Sequence, residues 1–389
     1  MIERALVPFV AAAHRPAVLA LAATACALVA TACGNGESGA GDPGSSVADG
    51  SSVDAGSPVP PGLVTLAIGG NEPNGMATDG REVFWASVDW DDEGGASGPG
   101  SLHEVSVNGG PVTVLAKGVL PYAVAIDATN VYWTDNPGYA MSDGGNGSDI
   151  LRTPRDGGPT SVLFSGPVVS TGIAMDATNL YWGGGAPDGG SGELLMKMPL
   201  AGGAPVTLAT ATGGIGCVAG CIAVDSTSVY WVAAGFMTKV PIAGGASVSL
   251  APVGEVGGLA VAAAGVYWTQ LDSPNGAGSV RTVPLDGGEV TTIASYPNSV
   301  TGLSVVVDST NVYWPYTYCL ESGCGTGFAG GIAGAPLAGG APTTLVDLPG
   351  AGMTPTALAV DATSLYWVSQ LPGPCGSAGC ATIQKFTPK

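Results

Sequence analysis

An all-β, seven-bladed β-propeller is predicted by three features of the 389-residue sequence. The stretch Val124 to Trp133 (VAIDATNVYW) has six counterparts along the chain. Its aromatic pair recurs as Phe84-Trp85, Tyr132-Trp133, Tyr181-Trp182, Tyr230-Trp231, Tyr267-Trp268, Tyr313-Trp314 and Tyr366-Trp367, with tryptophans 48, 49, 49, 37, 46 and 53 residues apart. A period near that length marks blades that cannot bury their faces alone. Second, each repeat reads as four short strands. Third, the last repeat stops at Ile383-Gln384-Lys385-Phe386 with no fourth strand. The missing strand stands at the other end, where Val64-Thr65-Leu66-Ala67 repeats the letters of Val206-Thr207-Leu208-Ala209. Pairing the two termini in the last blade closes the ring and leaves only short edges exposed.

The strands follow in order. The first is the segment ending in aspartate, as in Ile173-Ala174-Met175-Asp176. Eight residues before each Trp stands Ala77, Ala125, Ala174, Ala223, Ala260, Val306 or Ala359, small among larger apolar neighbours, which suits the innermost strand near the axis. A turn follows with Asp79, Asp127, Asp176, Asp225, Asp308 or Asp361, and Ala262 in the fifth repeat. A short acidic side chain there bonds the backbone two residues on and fixes the turn. The second strand is the aromatic-Trp segment, rich in strand-favouring residues. The third ends in a Gly-Gly pair, as in Leu195 to Gly203 (LMKMPLAGG), which supplies the positive φ of a hairpin turn. The fourth is the Thr/Val run after it.

Residues 1–32 read as an export signal, with Arg4 and Arg15 on the amino side of an uncharged apolar run from Ala17 to Ala32. The run is shorter than the ~20 residues of a membrane span. It closes with Val29-Ala30-Thr31-Ala32-Cys33-Gly34, which resembles the bacterial lipobox and implies a lipid anchor on Cys33. A competing box at Ala23-Thr24-Ala25-Cys26 lies inside the apolar run. Residues 33–61 are Gly, Ser, Asp and Pro with few large apolar groups, the composition of a flexible tether. Residues 62–389 form one propeller domain. The expected address is the bacterial envelope, on the periplasmic face or the cell surface.

Loss of Glu3, Arg4 and Arg15 with the signal leaves 29 acidic and 9 basic residues of the chain's 30 and 11, a balance of −20. Nucleic acid is disfavoured as a partner, and membrane contact is expected through the anchor only. Six cysteines remain beyond Cys26 and Cys33 as three close pairs, Cys217 with Cys221, Cys319 with Cys324 and Cys375 with Cys380. No histidine flanks them and the compartment is oxidising, so local disulfides are expected among the 15 connectivities six cysteines allow.

In an up-and-down blade the loops after strands two and four emerge on one face. Those after strands one and three, short and uniform here, emerge on the other. The first set reads as long and irregular and holds all three cysteine pairs. Loops on a rigid scaffold concentrate binding residues, so this face is the functional candidate, with Trp90, Asp91, Asp92, Asn136, Tyr139, Tyr316 and Tyr318 as candidate binding residues. Asp89, Asp91 and Glu93 begin like a calcium loop, with Gly94 at the sixth place. Gly100 stands at the twelfth where such loops need glutamate, so no metal and no cofactor are expected. The repeated tryptophans are read as inter-blade core.

Beyond the signal there is one histidine, His103, and no nucleophile elbow, Walker loop or Cys-x-x-Cys. A Ser-His-Asp site would have to use His103. At Tyr132-Trp133-Thr134-Asp135, with Leu285-Asp286-Gly287 as the later turn, residues 62–389 resemble the YWTD class of propeller repeats of lipoprotein-receptor ectodomains, and are similar to bacterial lipoprotein propellers. The tetrad appears once, and the receptor propellers have six blades. The resemblance implies protein binding, with no receptor binding residue matched. The reading is therefore a monomeric binding or scaffold module for a protein or glycan. An extracytoplasmic lyase or hydrolase at the axial mouth of the same face is the alternative, between which fold alone does not choose.

Overall fold

The computed structural model describes residues 61–68, 73–88, 100–118, 120–136, 147–166, 170–185, 192–212, 221–272, 277–296, 299–302, 304–319, 328–348, 354–370 and 381–388. They form seven antiparallel sheets, each with its strands in sequential order except the closing one. Blade three shows the plan, with Ser170–Met175, Asn179–Gly185, Gly192–Pro199 and Val206–Thr212 side by side from inside to outside. In the last sheet Leu63–Ile68 lies beside Ala381–Phe386, which continues into Leu365–Gln370 and Thr354–Val360. Leu63 pairs with Phe386 and Ile68 with Thr382. The ring closes as the terminal half-repeats predict. Among the described residues no helix is long and apolar enough to cross a membrane.

The seven repeat tryptophans are at most 4% exposed and sit between blades. A second small position accompanies the alanines, ten residues before each Trp: Gly75, Ala123, Gly172, Cys221, Gly258, Ser304 and Ala357. A Cβ on Gly75 would stand 2.4 Å from the Tyr122 carbonyl oxygen and 2.9 Å from the Ala123 Cα. One on Gly258 would meet the Ser304 Cα at 2.8 Å. These positions touch their own equivalents on the next blade, so the innermost strands approach too closely for larger side chains.

Blade six departs from the plan. Its first strand is split into Ser299–Thr301 and Val306–Val307, both paired with Asn311–Cys319. Between the two paired stretches lies Pro315, which has no N–H for the ladder, and its carbonyl instead accepts from Gly302 N at 2.8 Å. Every outermost strand carries a register shift against the third strand of its blade. Such bulges twist an edge away from pairing with other chains.

Candidate functional face

The two faces are built differently. On the face of the turns after strands one and three, each Asp turn is locked twice. Asp176 Oδ1 accepts from Thr178 N and Asn179 N, both at 2.7 Å, and Oδ2 accepts from Tyr181 Oη at 2.6 Å. The same carboxylate–phenol bond joins Asp127 to Tyr132, Asp225 to Tyr230, Asp308 to Tyr313 and Asp361 to Tyr366, at 2.7–2.9 Å. Burial pushes the Tyr132 phenol up, reinforced by the carboxylate, to about 12. For Asp176 burial raises the carboxyl, but the bonds from Tyr181 and Thr178 outweigh it and hold it at about 2. Blade one has Phe84 in place of the tyrosine, and Arg155 of blade two takes over. Its guanidinium lies 2.6 Å from Asp79 Oδ2 and 4.8 Å from the Phe84 ring centroid. The fifth blade lacks both members' bond, having Ala262 for the aspartate.

Cations join the blades on this face. Arg152, Lys197, Lys239 and Lys385 of third strands donate to the carbonyls of Leu200, Ile242, Leu285 and Val107 at the turns of the following blades, at 2.7–3.4 Å. Much of the chain's small stock of basic residues is thus committed to structure. Asp176→Ala removes the acceptor for five donors, two on Thr178, two on Asn179 and one on the buried Tyr181. Loss of about 2 kcal/mol is expected at pH 7, read as a lower urea midpoint. The carboxyl is depressed in the folded state, so its stabilisation is present above the ordinary carboxylate pKa near 4 and lost as pH falls toward 2. The gap between wild type and Asp176→Ala should therefore close over that interval.

The opposite face bears the longer connections, with a correction. In blade four the link between Ser228–Ala233 and Phe236–Pro241 is only Ala234 and Gly235, with φ of 51° and 79°, a tight hairpin. The connections of 253–254 and 297–298 from fourth to first strands are equally short. Length is concentrated at 89–99, 137–146, 186–191, 213–220, 320–327 and 371–380, between described strands.

Of the candidate residues, Asp89, Trp90, Asp91, Asp92, Glu93 and Tyr139 lie outside the described residues, as do Cys33, Cys217, Cys324, Cys375 and Cys380, and the side chain of Cys319. Cys221 is buried against Val256 and Leu259 of blade five. Asn136 is 3% exposed and accepts from Ser148 Oγ, while its N–H donates to the Leu120 carbonyl. Beside it Asp135, 6% exposed, accepts from Leu120 N at 2.6 Å. Both close the end of blade two from within.

Tyr316 is stacked between Tyr296 and Tyr318, with centroids 5.6 and 6.1 Å apart. It lies over Gly331, where an added Cβ would be 2.5 Å from its Oη. Tyr318 Oη donates to the exposed Asp347 at 3.2 Å. Tyr316 is therefore buried and Tyr318 forms the outer rung of the stack. His103 stacks on Trp85 at 5.1 Å, and its Nε2 lies 2.9 Å from the Oγ of Ser87, itself 2% exposed. The pair packs the end of blade one. Among the described residues no group of three or more His, Cys, Asp or Glu is set to hold a metal.

One side chain stands apart. Glu193, at the start of the third strand of blade three, is 3% exposed, and neither carboxylate oxygen has a hydrogen-bond partner among the described residues. Burial alone pushes its carboxyl up to about 7. Nothing in Gly192-Glu193-Leu194 marks this residue in the sequence. The aspartates, too, show there as turn formers without their tyrosine partners. The five-residue spacing from Asp to Tyr, lost in the first and fifth repeats, was the available signal.

No protein-family model matches the chain, and no curated protein matches it. Among solved structures it is similar to an oligogalacturonate lyase in complex with manganese, at 11% identity and a TM-score of 0.54 over 84% of this chain and 93% of that one. An acylaminoacyl peptidase in complex with a chloromethyl ketone shows 8% identity and a TM-score of 0.57 over 83% of this chain and 52% of that one. A nidogen/laminin complex shows 20% identity and a TM-score of 0.43 over 58% and 80%. At these identities the likeness concerns the propeller fold alone.

Proposed function

We propose that the protein is an exported, envelope-anchored binding or scaffold module that holds a protein or glycan on its longer-looped face. The observation that carries this is the asymmetry of the two faces. One is locked by Asp–Tyr bonds and inter-blade cations, whereas the other carries the long connections on the same rigid blades. Such a division suits recognition by loops. Cys33 is proposed as the lipid anchor, residues 33–61 as the tether, and Cys217–Cys221, Cys319–Cys324 and Cys375–Cys380 as disulfides within that face. A bridge closing three or four residues adds little to global stability, since the gain grows with loop length. Its use is to hold a Gly-rich loop in one shape, so that less ordering is needed on binding.

The test is cross-linked capture of partners from the native envelope with the anchored chain, against a Cys375→Ser/Cys380→Ser variant. A partner captured by the wild type should be lost or weakened with the variant, while the melting temperature changes by only about 2 °C or less. Unchanged capture by the variant, and by one with residues 371–380 replaced by a short Gly-Ser link, would remove this face from the binding role.

A further inference from the structure

Blades three and four meet across a seam of large and small apolar residues. Tyr181 and Leu195 of blade three pack on Ile222, Trp231 and Ala233 of blade four, with Ala209 and Ala211 beside them. Glu193 stands two residues before Leu195 on the same strand, hence on the same face, paired with Gly185 on one side and Ala211 on the other. Gly183, two residues from Tyr181 and also on that face, has room: an added Cβ would meet only the Leu194 carbonyl oxygen, at 3.8 Å.

Two buried polar groups at this interface have no hydrogen-bond partner among the described residues, the Glu193 carboxylate and the Trp231 indole N–H, on residues 3% and 4% exposed. The equivalent indole is satisfied in four other blades and, like that of Trp231, unpaired in Trp85 and Trp182 among the described residues. Trp133 donates to Thr153, Trp268 to Gln270, Trp314 to Tyr296 and Trp367 to Ser369. In blades five and seven the acceptor is two residues on, where blade four has Ala233. A buried polar group left unpaired costs about 1–3 kcal/mol, more if charged, and an unsatisfied carboxyl in a packed interface points to use. The cation nearest in sequence on this face, Lys197, donates to the Ile242 carbonyl at 2.7 Å and lies over the Tyr181 ring. Among the described residues no donor reaches Glu193.

We propose that Glu193 and Trp231 form a receptor for the free N-terminus of a peptide, entering the seam between blades three and four from the longer-looped face. The carboxylate accepts from the α-ammonium group, and the indole N–H donates to the first carbonyl oxygen. Each orphan thereby gains the partner its chemistry requires. A slim extended chain suits a seam walled by Gly183, Gly185, Ala211 and Ala233, and the acidic chain draws cationic groups toward it. This deepens the proposed binding role, on which it rests, by naming the group recognised.

The test is calorimetric titration of the full chain with alanyl-alaninamide at pH 8, beside N-acetyl-alanyl-alaninamide and glucosamine. The free peptide should bind and the acetylated one should not. Glu193→Gln should weaken binding about tenfold or more, corresponding to 1.4 kcal/mol, while the variant melts no lower than wild type. Trp231→Phe should weaken it less, and in wild type the Trp231 indole ¹⁵N–¹H resonance should move on addition of peptide. Equal binding of free and acetylated peptide, undiminished binding by Glu193→Gln, or binding of glucosamine alone overturns the inference. Binding of none of the three overturns it too, and leaves the broader role intact if envelope capture still depends on Cys375 and Cys380.

Discussion

Deleting residues 62–68 should lower the melting temperature by more than 10 °C or abolish cooperative unfolding, whereas deleting 36–58 should leave it unchanged. The two deletions differ in what they remove. Residues 63–68 supply the outer hydrogen-bonding partner of Ala381–Phe386, whose other edge pairs with Leu365–Gln370, and Gly62 accepts from Thr387 N at 3.3 Å. Leu66 and Ala67 are buried in one cluster with Ile383, Tyr366 and Val368, while Leu63 packs toward Phe386 in another. Losing one buried Leu costs about 2–5 kcal/mol. Here that loss is joined by an unpaired outer edge on the last blade and by lost packing against Val105 and Val107 of blade one, against a total stability of about 5–15 kcal/mol for a typical domain. The segment 36–58 lies in the Gly/Ser/Asp/Pro tether. Circular dichroism melts of the two variants decide the matter, and equal midpoints would overturn closure by the terminal strand.

The blade count and the closure were legible because the physics repeats them. Each blade needs a large ring at the same place between its neighbours, so Trp85 and its six equivalents stay in phase through variable loops. The small position at Gly75 was less visible. Its constraint is a maximum size, which Gly, Ala, Cys and Ser all meet, so no single letter recurs. The split first strand of blade six could have been read from Pro315, the proline inside a second strand. Loop lengths misled at blade four, because Ala234 adopts a positive φ that its sequence does not advertise. The polar partnerships were the least legible. Arg155 replaces a tyrosine hydroxyl from a different blade, and Glu193 lies in a blade interface that strand alternation alone does not reveal. Alternation says which side a residue takes; it does not say what stands opposite.

Glu193→Gln should stabilise the unliganded protein at pH 8 by roughly 3 kcal/mol and leave it unchanged near pH 4. The sign follows from the direction of the shift. Burial raises the folded-state carboxyl to about 7 from an ordinary 4.5. Below the ordinary value both folded and unfolded chains hold the proton, and the buried group is neutral. Between the two values the unfolded chain releases its proton while the folded chain keeps it, so stability falls as pH rises. Above about 7 the folded chain must ionise inside the interface of blades three and four, and the fall levels off. One pKa unit corresponds to about 1.36 kcal/mol, which sets the size of the effect. Glutamine keeps the shape and carries no charge, so it does not share this fall. The Asp turns titrate identically in both proteins and drop out of the difference. Urea unfolding of the pair from pH 4 to pH 8 measures it directly; a flat difference, or a less stable glutamine variant at pH 8, would mean that Glu193 is satisfied in solution. Alanyl-alaninamide at pH 8 should then raise the wild type toward the variant and leave the variant where it was. In the proposal above, the bound α-ammonium group offsets the cost of ionising Glu193 inside the interface.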